Sequence, residues 1–397
     1  MDITFNELSK LDKDSYTIID IRDRDAFNYG HITGAINIPE SEISQASTTF
    51  AKNKKIIICC RSGKTSPAVA EKLAAQGYQA LNLVGGYFAW LKDHILDLSG
   101  TKAEEVETSI RKTFHKTIFA KFCRAICEYD LVQPGDKIAV CISGGKDSML
   151  MAKLFQELRR HNKIPFELVF LVMDPGYSPE NREIIERNAQ MLAVPINIFE
   201  TDIFDSVFKV EKSPCYLCAR MRRGHLYHQA QLLGCNKIAL GHHYDDVIET
   251  ILMGMLYGGQ IQTMMPKLYS KNFPGMQLIR PMYLIREQDI IRWRDMNQLS
   301  FIQCACKFTD TCTSEGCTAD ATGSKRKAVK NLIATLKQND PQIERNIFRS
   351  MENVNLATVI TYKDKDGNYH NFKDDYKPKH PVADWFFFGR IYFLDML

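Results

Sequence analysis

The 397-residue chain has no apolar run long enough to cross a bilayer. It begins Met1-Asp2-Ile3-Thr4, with no basic start and no apolar stretch behind it. Neither a spanning helix nor a leader is expected; no membrane contact is expected, and the location is expected to be cytoplasmic. Net charge is also scarce, +4 from 51 basic and 47 acidic residues, so charge alone does not argue for nucleic acid. Cysteine is not scarce. Twelve of them in a cytoplasmic chain point to metal or sulfur chemistry rather than to disulfides. Apolar and charged fractions are those of an ordinary globular protein, and the length allows about two or three domains.

The most informative stretch is Ile138-Ala139-Val140-Cys141-Ile142-Ser143-Gly144-Gly145-Lys146-Asp147-Ser148. Its apolar, β-branched first half reads as a buried strand, and Met149 to Phe155 carries apolar residues at helical spacing. Between strand and helix lies a small polar loop. Backbone N–H groups at such a helix start converge and carry partial positive charge. Gly144 and Gly145 keep Cβ atoms out of the way of a bound anion, and Lys146 adds a full charge. A Walker A loop is excluded, because Asp147 follows Lys146 and Cys141 stands where a glycine is required. An ordinary Gly-rich turn is the plainer alternative, and the intact hexapeptide between strand and helix argues against it. The hexapeptide resembles the SGGxDS pyrophosphate loop of the PP-loop ATPases. That resemblance implies cleavage of ATP between its α and β phosphates, adenylation of a carbonyl oxygen, and displacement of AMP by a nitrogen or sulfur nucleophile. It makes Ser143, Gly144, Gly145, Lys146, Asp147 and Ser148 nucleotide-binding candidates, with Asp147 also a catalytic one.

Ahead of this stretch, Tyr16–Ile21 and Lys55–Cys60 read as strands of a compact α/β segment. The second ends in Cys60-Arg61-Ser62-Gly63-Lys64-Thr65-Ser66, and Pro67 suits the first position of the next helix. A cysteine wrapped by a loop that enters a helix is in a thiolate-stabilising setting. Asp20 and Arg22, the run Gly30-His31-Ile32-Thr33-Gly34-Ala35, the Cys60 loop and Leu83-Val84-Gly85-Gly86-Tyr87-x-x-Trp90 together resemble a single rhodanese domain. The resemblance implies that Cys60 carries sulfur as a persulfide. Thr65 stands where many such loops have Arg, which weakens the case for thiosulfate; a rhodanese lacking activity and serving as a docking module is the alternative. Cys59 reads as a buried strand residue.

Residues 101–130 read as one charged amphipathic helix, with Ile110, Phe114, Ile118, Phe122 and Ile126 about a turn apart and Cys123 and Cys127 packing among them. After the loop helix, strands at Phe166–Met173, Pro195–Phe199 and Lys237–Leu240 alternate with helices, one of them at Glu180–Leu192. Such alternation makes a doubly wound parallel sheet. Ligands bind these sheets at the carboxyl ends of the strands, where both Ser143–Ser148 and Gly241-His242-His243-Tyr244-Asp245-Asp246 fall. Asp245 and Asp246 beside a phosphate site are candidates for Mg²⁺, the alternative being helix capping.

Between these strands, Ser213 and Pro214 mark a helix start that puts Cys215 and Cys218 on one face. A lone C-x-x-C is open between redox, half of a zinc site and cluster ligation. More thiolates are far along the chain, at Cys304, Cys306, Cys312 and Cys317. Cys215-x-x-Cys218-x-Arg220-x-Arg222-Arg223-Gly224, Gly241-His242-His243-x-Asp245-Asp246, Tyr257-Gly258-Gly259, Pro266-Lys267-Leu268, Ile279-Arg280-Pro281 and Arg286-Glu287 resemble the tRNA 2-thiocytidine synthetases, over about residues 137–304. The resemblance implies a 4Fe–4S cluster held by Cys215, Cys218 and Cys304 with one iron left open. Past Cys304 the pattern departs, since the family's next cysteine is three positions on and Cys306 is two on.

The expected fold is α/β, a small rhodanese domain at residues 1–99, a linker helix at 100–136, a doubly wound PP-loop domain of the adenine nucleotide α-hydrolase type at 137–335 and a C-terminal extension at 336–397. The expected activity is ATP-dependent thiolation of cytidine 32 of a tRNA, with ATP, Mg²⁺ and the cluster as cofactors and sulfur relayed by Cys60. The expected partners are tRNA and a sulfur donor, either a cysteine desulfurase or thiosulfate, and the expected assembly is a homodimer. Arg220, Arg222 and Arg223 are placed to touch RNA, with structural ion pairing the alternative. The rivals are a thiolase in which Cys215 or Cys218 carries a persulfide without any cluster, and a non-catalytic sulfur carrier that binds nucleotide.

Overall fold

The computed structural model describes residues 1–47, 50–51, 54–97, 102–203, 214–302, 321–364 and 366–374. The first sheet comprises β1 (Asp2–Ile3), β2 (Tyr16–Asp20), β3 (Ile36–Asn37), β4 (Lys55–Cys59) and β5 (Ala80–Leu83). Its order is β1-β5-β4-β2-β3, with every pairing parallel. A parallel sheet has no solvent face, so a central strand is apolar throughout. Ile56, Ile57, Ile58 and Cys59 of β4 are accordingly all buried. Val69, Ala70 and Leu73 of the helix Ser66–Ala75 cover one face. Tyr87, Phe88 and Leu91 of the helix Gly86–Asp97 cover the other.

The second sheet carries β6 (Lys137–Ile142), β7 (Glu167–Asp174), β8 (Ile196–Glu200), β9 (Lys237–Ala239), β10 (Lys267–Tyr269) and β11 (Gln277–Ile279). The order is β10-β11-β9-β6-β7-β8, parallel except for the edge strand β10. This is the doubly wound α/β arrangement expected. β6 lies between β7 and β9, so the chain crosses to opposite sides from it, and the crevice at its carboxyl end is the switch point. The helix anticipated at Glu180–Leu192 spans Pro179–Met191: Ser178 Oγ accepts the Asn181 N–H at 3.3 Å, and Pro179 needs no partner in the first turn.

Residues 101–130 differ from the single helix expected. They form helices Lys102–Arg111 and Ala120–Glu128 joined by a π-helical turn at His115–Phe119, where Phe119 N–H reaches the Phe114 carbonyl. Apolar residues four apart drift by roughly 40° per step around an α-helix. The wider π turn takes up that drift, so Val106, Ile110, Phe114, Ile118, Phe122 and Ile126 are all buried. Cys123 packs at the edge of this core, whereas Cys127 is exposed.

One apolar core runs through both sheets' covering layers, from Leu8, Ile57 and Leu91 through Val106 and Phe122 to Val140, Phe155 and Ile184. The helix Gly86–Asp97 packs along Pro179–Met191, where Lys92 pairs with Glu183 and the Lys92 carbonyl accepts Arg187 Nη1 at 3.3 Å. By compactness the chain divides into Met1–Thr335 and Leu336–Leu397. The latter contains a helix, Ile343–Ser350, and an antiparallel hairpin of β12 (Thr361–Lys363) and β13 (Tyr369–Asn371). Trp385-Phe386-Phe387-Phe388 lies outside the described residues. Among the described residues, no helix is long and apolar enough to cross a membrane.

At the amino end of β6, Lys237 Nζ meets Asp136 Oδ2 at 2.5 Å, both side chains almost fully buried. Lys237 also donates to the Leu131 carbonyl, and Asp136 accepts from Asn236 and the Gln133 N–H. Removing one member of such a pair leaves a buried charge unpaired. Asp136→Ala should therefore destabilise the protein by about 3–5 kcal/mol, read as a large fall in melting temperature. An unchanged melting temperature would show that the pair does not anchor β6 to β9.

Candidate active site

The loop after β6 is closed by Ser148. Its Oγ accepts the Ser143 N–H at 3.1 Å, lies 3.2 Å from Ser143 Oγ, and donates to the Gly145 carbonyl at 3.0 Å. The chain can turn here because Gly144 has φ +85°, and a Cβ there would come within 2.6 Å of Ile185 and 3.0 Å of Ile302. Gly145 has an ordinary conformation and caps the helix Lys146–Arg160 without any side-chain bond. The helix's first N–H groups thus open toward the crevice, an anion cradle. Lys146 Nζ lies 3.0 Å from Asp147 Oδ2 and 3.5 Å from Glu287 Oε1.

Gly241 comes beside this loop: a Cβ there would lie 3.4 Å from the Asp147 carbonyl carbon and the Ser148 nitrogen. The two sequence stretches 143–148 and 241–246 are therefore one site. His243 caps the following helix, with its Nδ1 3.4 Å from the Asp246 N–H while Asp246 Oδ2 accepts the His243 N–H at 3.0 Å. Asp246 also pairs with Arg326 at 3.0 Å. Burial works against its charge, but His243, His242 and Arg326 hold it below the usual carboxylate range. Asp245 accepts from Arg286 at 2.9 Å and from the Glu287 N–H at 2.7 Å. Both candidate Mg²⁺ ligands are thus engaged with protein groups, and among the described residues no cluster of three His, Cys, Asp or Glu side chains forms a ready cation cage.

The surrounding charges are interlocked. Burial works against the charge of Glu287, but the Lys330 hydrogen bond at 2.6 Å and the nearby charges of Lys146 and Lys330 together hold it below its usual range. Burial pushes His242 down to about 4, with Arg280 adding to the effect. Burial likewise lowers Arg280 to about 10, with Arg223 adding to the effect. Arg222 donates to the Tyr177 hydroxyl at 3.3 Å, while Arg220 and Arg223 are exposed.

In the first sheet, Cys60 lies just past β4 with Sγ 3.1 Å from the Gly63 N–H, 3.4 Å from the Ser66 N–H and 3.1 Å from Ser66 Oγ. Ser66 Oγ also lies 2.7 Å from Asn82 Oδ1, so its single proton serves either the sulfur or the amide. The helix begins at Ser66, which places Pro67 at its second position. Gly86 has φ +56°, and a Cβ there would lie 2.3 Å from the Cys60 carbonyl oxygen; the glycine pair after β5 thus packs directly on the sulfur loop. Asp20 and Arg22 are a buried ion pair, and Arg22 also holds the Gly30 carbonyl at 2.8 Å and lies over the Tyr87 ring. Burial raises the Cys59 thiol well above its ordinary value, as suits a packing residue.

Cys215 and Cys218 lie three positions apart near the start of the helix Pro214–Leu232. Cys304, Cys306, Cys312 and Cys317 lie outside the described residues. Sequence reasoning missed Tyr29, whose hydroxyl accepts the Lys146 N–H at 3.3 Å and donates to the Ile302 carbonyl at 3.2 Å. It also missed Arg326 and Lys330, which reach the site from the helix Ala321–Asn339. No local signal marks any of the three: Tyr29 meets a partner 117 positions away, Arg326 one 80 away and Lys330 one 43 away.

A rhodanese-like domain model matches residues 4–93, and a PP-loop domain model matches residues 106–307, half of the chain. The tRNA-cytidine(32) 2-sulfurtransferase of Citrifermentans bemidjiense is 34% identical over 241 residues, covering 60% of this chain and 90% of that one. The chain belongs to the PP-loop family of tRNA-cytidine(32) 2-sulfurtransferases. It is thus a transferase, with a rhodanese-like domain ahead of the family's PP-loop domain. The enzyme of the same name from Neisseria meningitidis serogroup C is 36% identical over 236 residues, 58% of this chain and 69% of that one. Among solved structures, the U34-tRNA thiolase NcsA of Methanococcus maripaludis, with its [4Fe-4S] cluster, matches at a TM-score of 0.48 and 21% identity, over 62% of this chain and 83% of that one.

Glu249, one turn beyond Asp246, is raised to about 7 by burial, against the pull of Arg326 3.7 Å away. Its unfolded value is near 4.5. The folded protein therefore holds a proton that the unfolded chain releases, and the stability so contributed is full below about 4.5 and lost as pH rises through about 7. Glu249→Gln should remove that slope. Melting temperatures of both proteins across this window test it, and parallel profiles would refute it.

Proposed function

We propose that the protein thiolates C2 of cytidine 32 in tRNA at the expense of ATP, in the cytoplasm and as a homodimer. The observation that carries the reading is the union of the closed Ser143–Ser148 loop with Gly241–Asp246 at the switch point of the sheet. ATP phosphates lie on the N–H groups at the start of the Lys146–Arg160 helix. Lys146 neutralises charge there, and Asp147 and Glu287 set its position. The C2 oxygen of the cytidine attacks the α-phosphorus, pyrophosphate leaves, and a poor leaving group becomes AMP. Sulfide then bonds to C2 as the C–O bond to AMP breaks; an external thiol reductant, oxidised to a disulfide, releases that sulfide from the persulfide S–S bond.

Mg²⁺ is commonly held by one or two carboxylates together with substrate phosphates, and Asp147, Asp245 and Asp246 are the carboxylates at hand. A 4Fe–4S cluster needs thiolates, and two of them on one helix about a turn apart suit an edge of it, with Cys304 as third ligand. When bound, such a cluster supplies an iron with an open position for sulfur. Cys60 carries the incoming sulfur: the N–H groups of Gly63 and Ser66 and the Ser66 hydroxyl are the groups that stabilise negative charge on it. A cysteine desulfurase or thiosulfate loads it. Arg220 and Arg223, exposed on the cysteine helix, are available to tRNA phosphates.

Asp147→Ala should abolish 2-thiocytidine formation, measured by mass spectrometry of tRNA nucleosides, without unfolding the protein. Wild-type turnover should release AMP and pyrophosphate; ADP and phosphate would overturn the mechanism. A second expectation concerns the sulfur route. Because the core is continuous between the two sheets, it is tested in the full chain. Cys60→Ala should lose protein-bound persulfide, read by mass after incubation with a sulfur donor, while ATP binding stays unchanged. Persulfide elsewhere on the chain with thiolation intact would remove Cys60 from the relay.

A further inference from the structure

The N-terminal domain reaches into the nucleotide site through one hydroxyl. Lys146 is the first residue of the loop helix, and its N–H is one of those a bound phosphate would use. That N–H already has an acceptor, Tyr29 Oη at 3.3 Å. The single phenol proton goes to the Ile302 carbonyl at 3.2 Å, so a lone pair faces the amide. The hydroxyl lies in the cradle itself: a Cβ on Gly145 would lie 3.5 Å from it and 3.7 Å from the Ile302 oxygen. From behind, Arg294 Nη1 donates to the Tyr29 carbonyl at 2.5 Å, and the Arg294 and Lys146 cations each lie 5.7 Å from the ring centre. The ring is therefore held independently of its hydroxyl.

We propose that Tyr29 is a residue of the nucleotide site, its hydroxyl occupying the Lys146 N–H until a phosphate oxygen displaces it. One N–H makes one good hydrogen bond, so phosphate and phenol compete for it. Occupation of the ATP loop and the seating of the N-terminal domain on that loop are then linked, and the loop's affinity for phosphate is lower than its amides alone would set. The inference rests on the reading of Ser143–Ser148 as the pyrophosphate site.

The test is calorimetric titration of the full-length wild type and Tyr29→Phe with pyrophosphate, ATP and adenosine, after their melting temperatures have been compared. Phe keeps the ring and loses the competitor. Pyrophosphate and ATP should bind about two- to ten-fold more tightly to the variant, the range a single net hydrogen bond spans. Adenosine binding should be unchanged, which a general loosening of the site would not leave so. Tyr29→Leu should move pyrophosphate affinity in the same direction. Equal or weaker pyrophosphate binding to both variants, with the wild type binding normally, would overturn the inference alone. A wild type that binds neither pyrophosphate nor ATP would overturn the site reading and the inference with it.

Discussion

The turn after β6 is the constraint on which the site depends. At Gly144 the backbone adopts φ +85° directly beneath Ile185 and Ile302, so no side chain can be placed there. That turn lets Ser148 reach back to the Ser143 N–H and close the loop. It also brings the first turn of the Lys146–Arg160 helix to the carboxyl end of the sheet, where Gly241 arrives from β9 in van der Waals range of the Asp147 and Ser148 backbone. Backbone sterics thus decide where the N–H cradle opens, before any charged side chain is considered.

Around the cradle the charges are arranged so that nearly every ion has a protein partner. Asp245 is held by Arg286, Asp246 by Arg326, and Glu287 by both Lys146 and Lys330. Buried ions left alone are costly, which explains the pairing. Glu249 shows what happens where the partner is too distant: burial wins and its carboxyl titrates near 7. A ligand bringing phosphates must exchange some of these partners for its own charge, so binding and rearrangement of the pairs belong together.

The sulfur loop of the first sheet follows the same logic with a softer atom. The N–H groups of Gly63 and Ser66 ring the Cys60 sulfur, and the glycine pair after β5 packs against the loop from outside. The buried Asp20–Arg22 pair holds Gly30 in place, and Gly30 follows the tyrosine that touches the nucleotide loop. The two loops therefore belong to one continuous body, with a shared core between them.

Much of this was legible in the sequence because it is local. The apolar run Ile138–Ile142, the glycines after it and the helical spacing beyond it determine a strand, a tight loop and a helix from residues that are chain neighbours. The same holds for β4 and the Cys60 loop. The strand–helix alternation also determined the doubly wound sheet, because parallel strands need helical crossovers. Only the tertiary structure decided which distant groups meet. The π turn at His115–Phe119 was invisible to a reading that assumed one helical period. The partners of Asp245 and Asp246 come from Arg286 and Arg326. Tyr29, 117 residues before the loop, meets Lys146 through a backbone N–H, which leaves no mark on residue identity. Local pattern reports the conformation of a segment, whereas a contact between segments depends on how the whole core packs them.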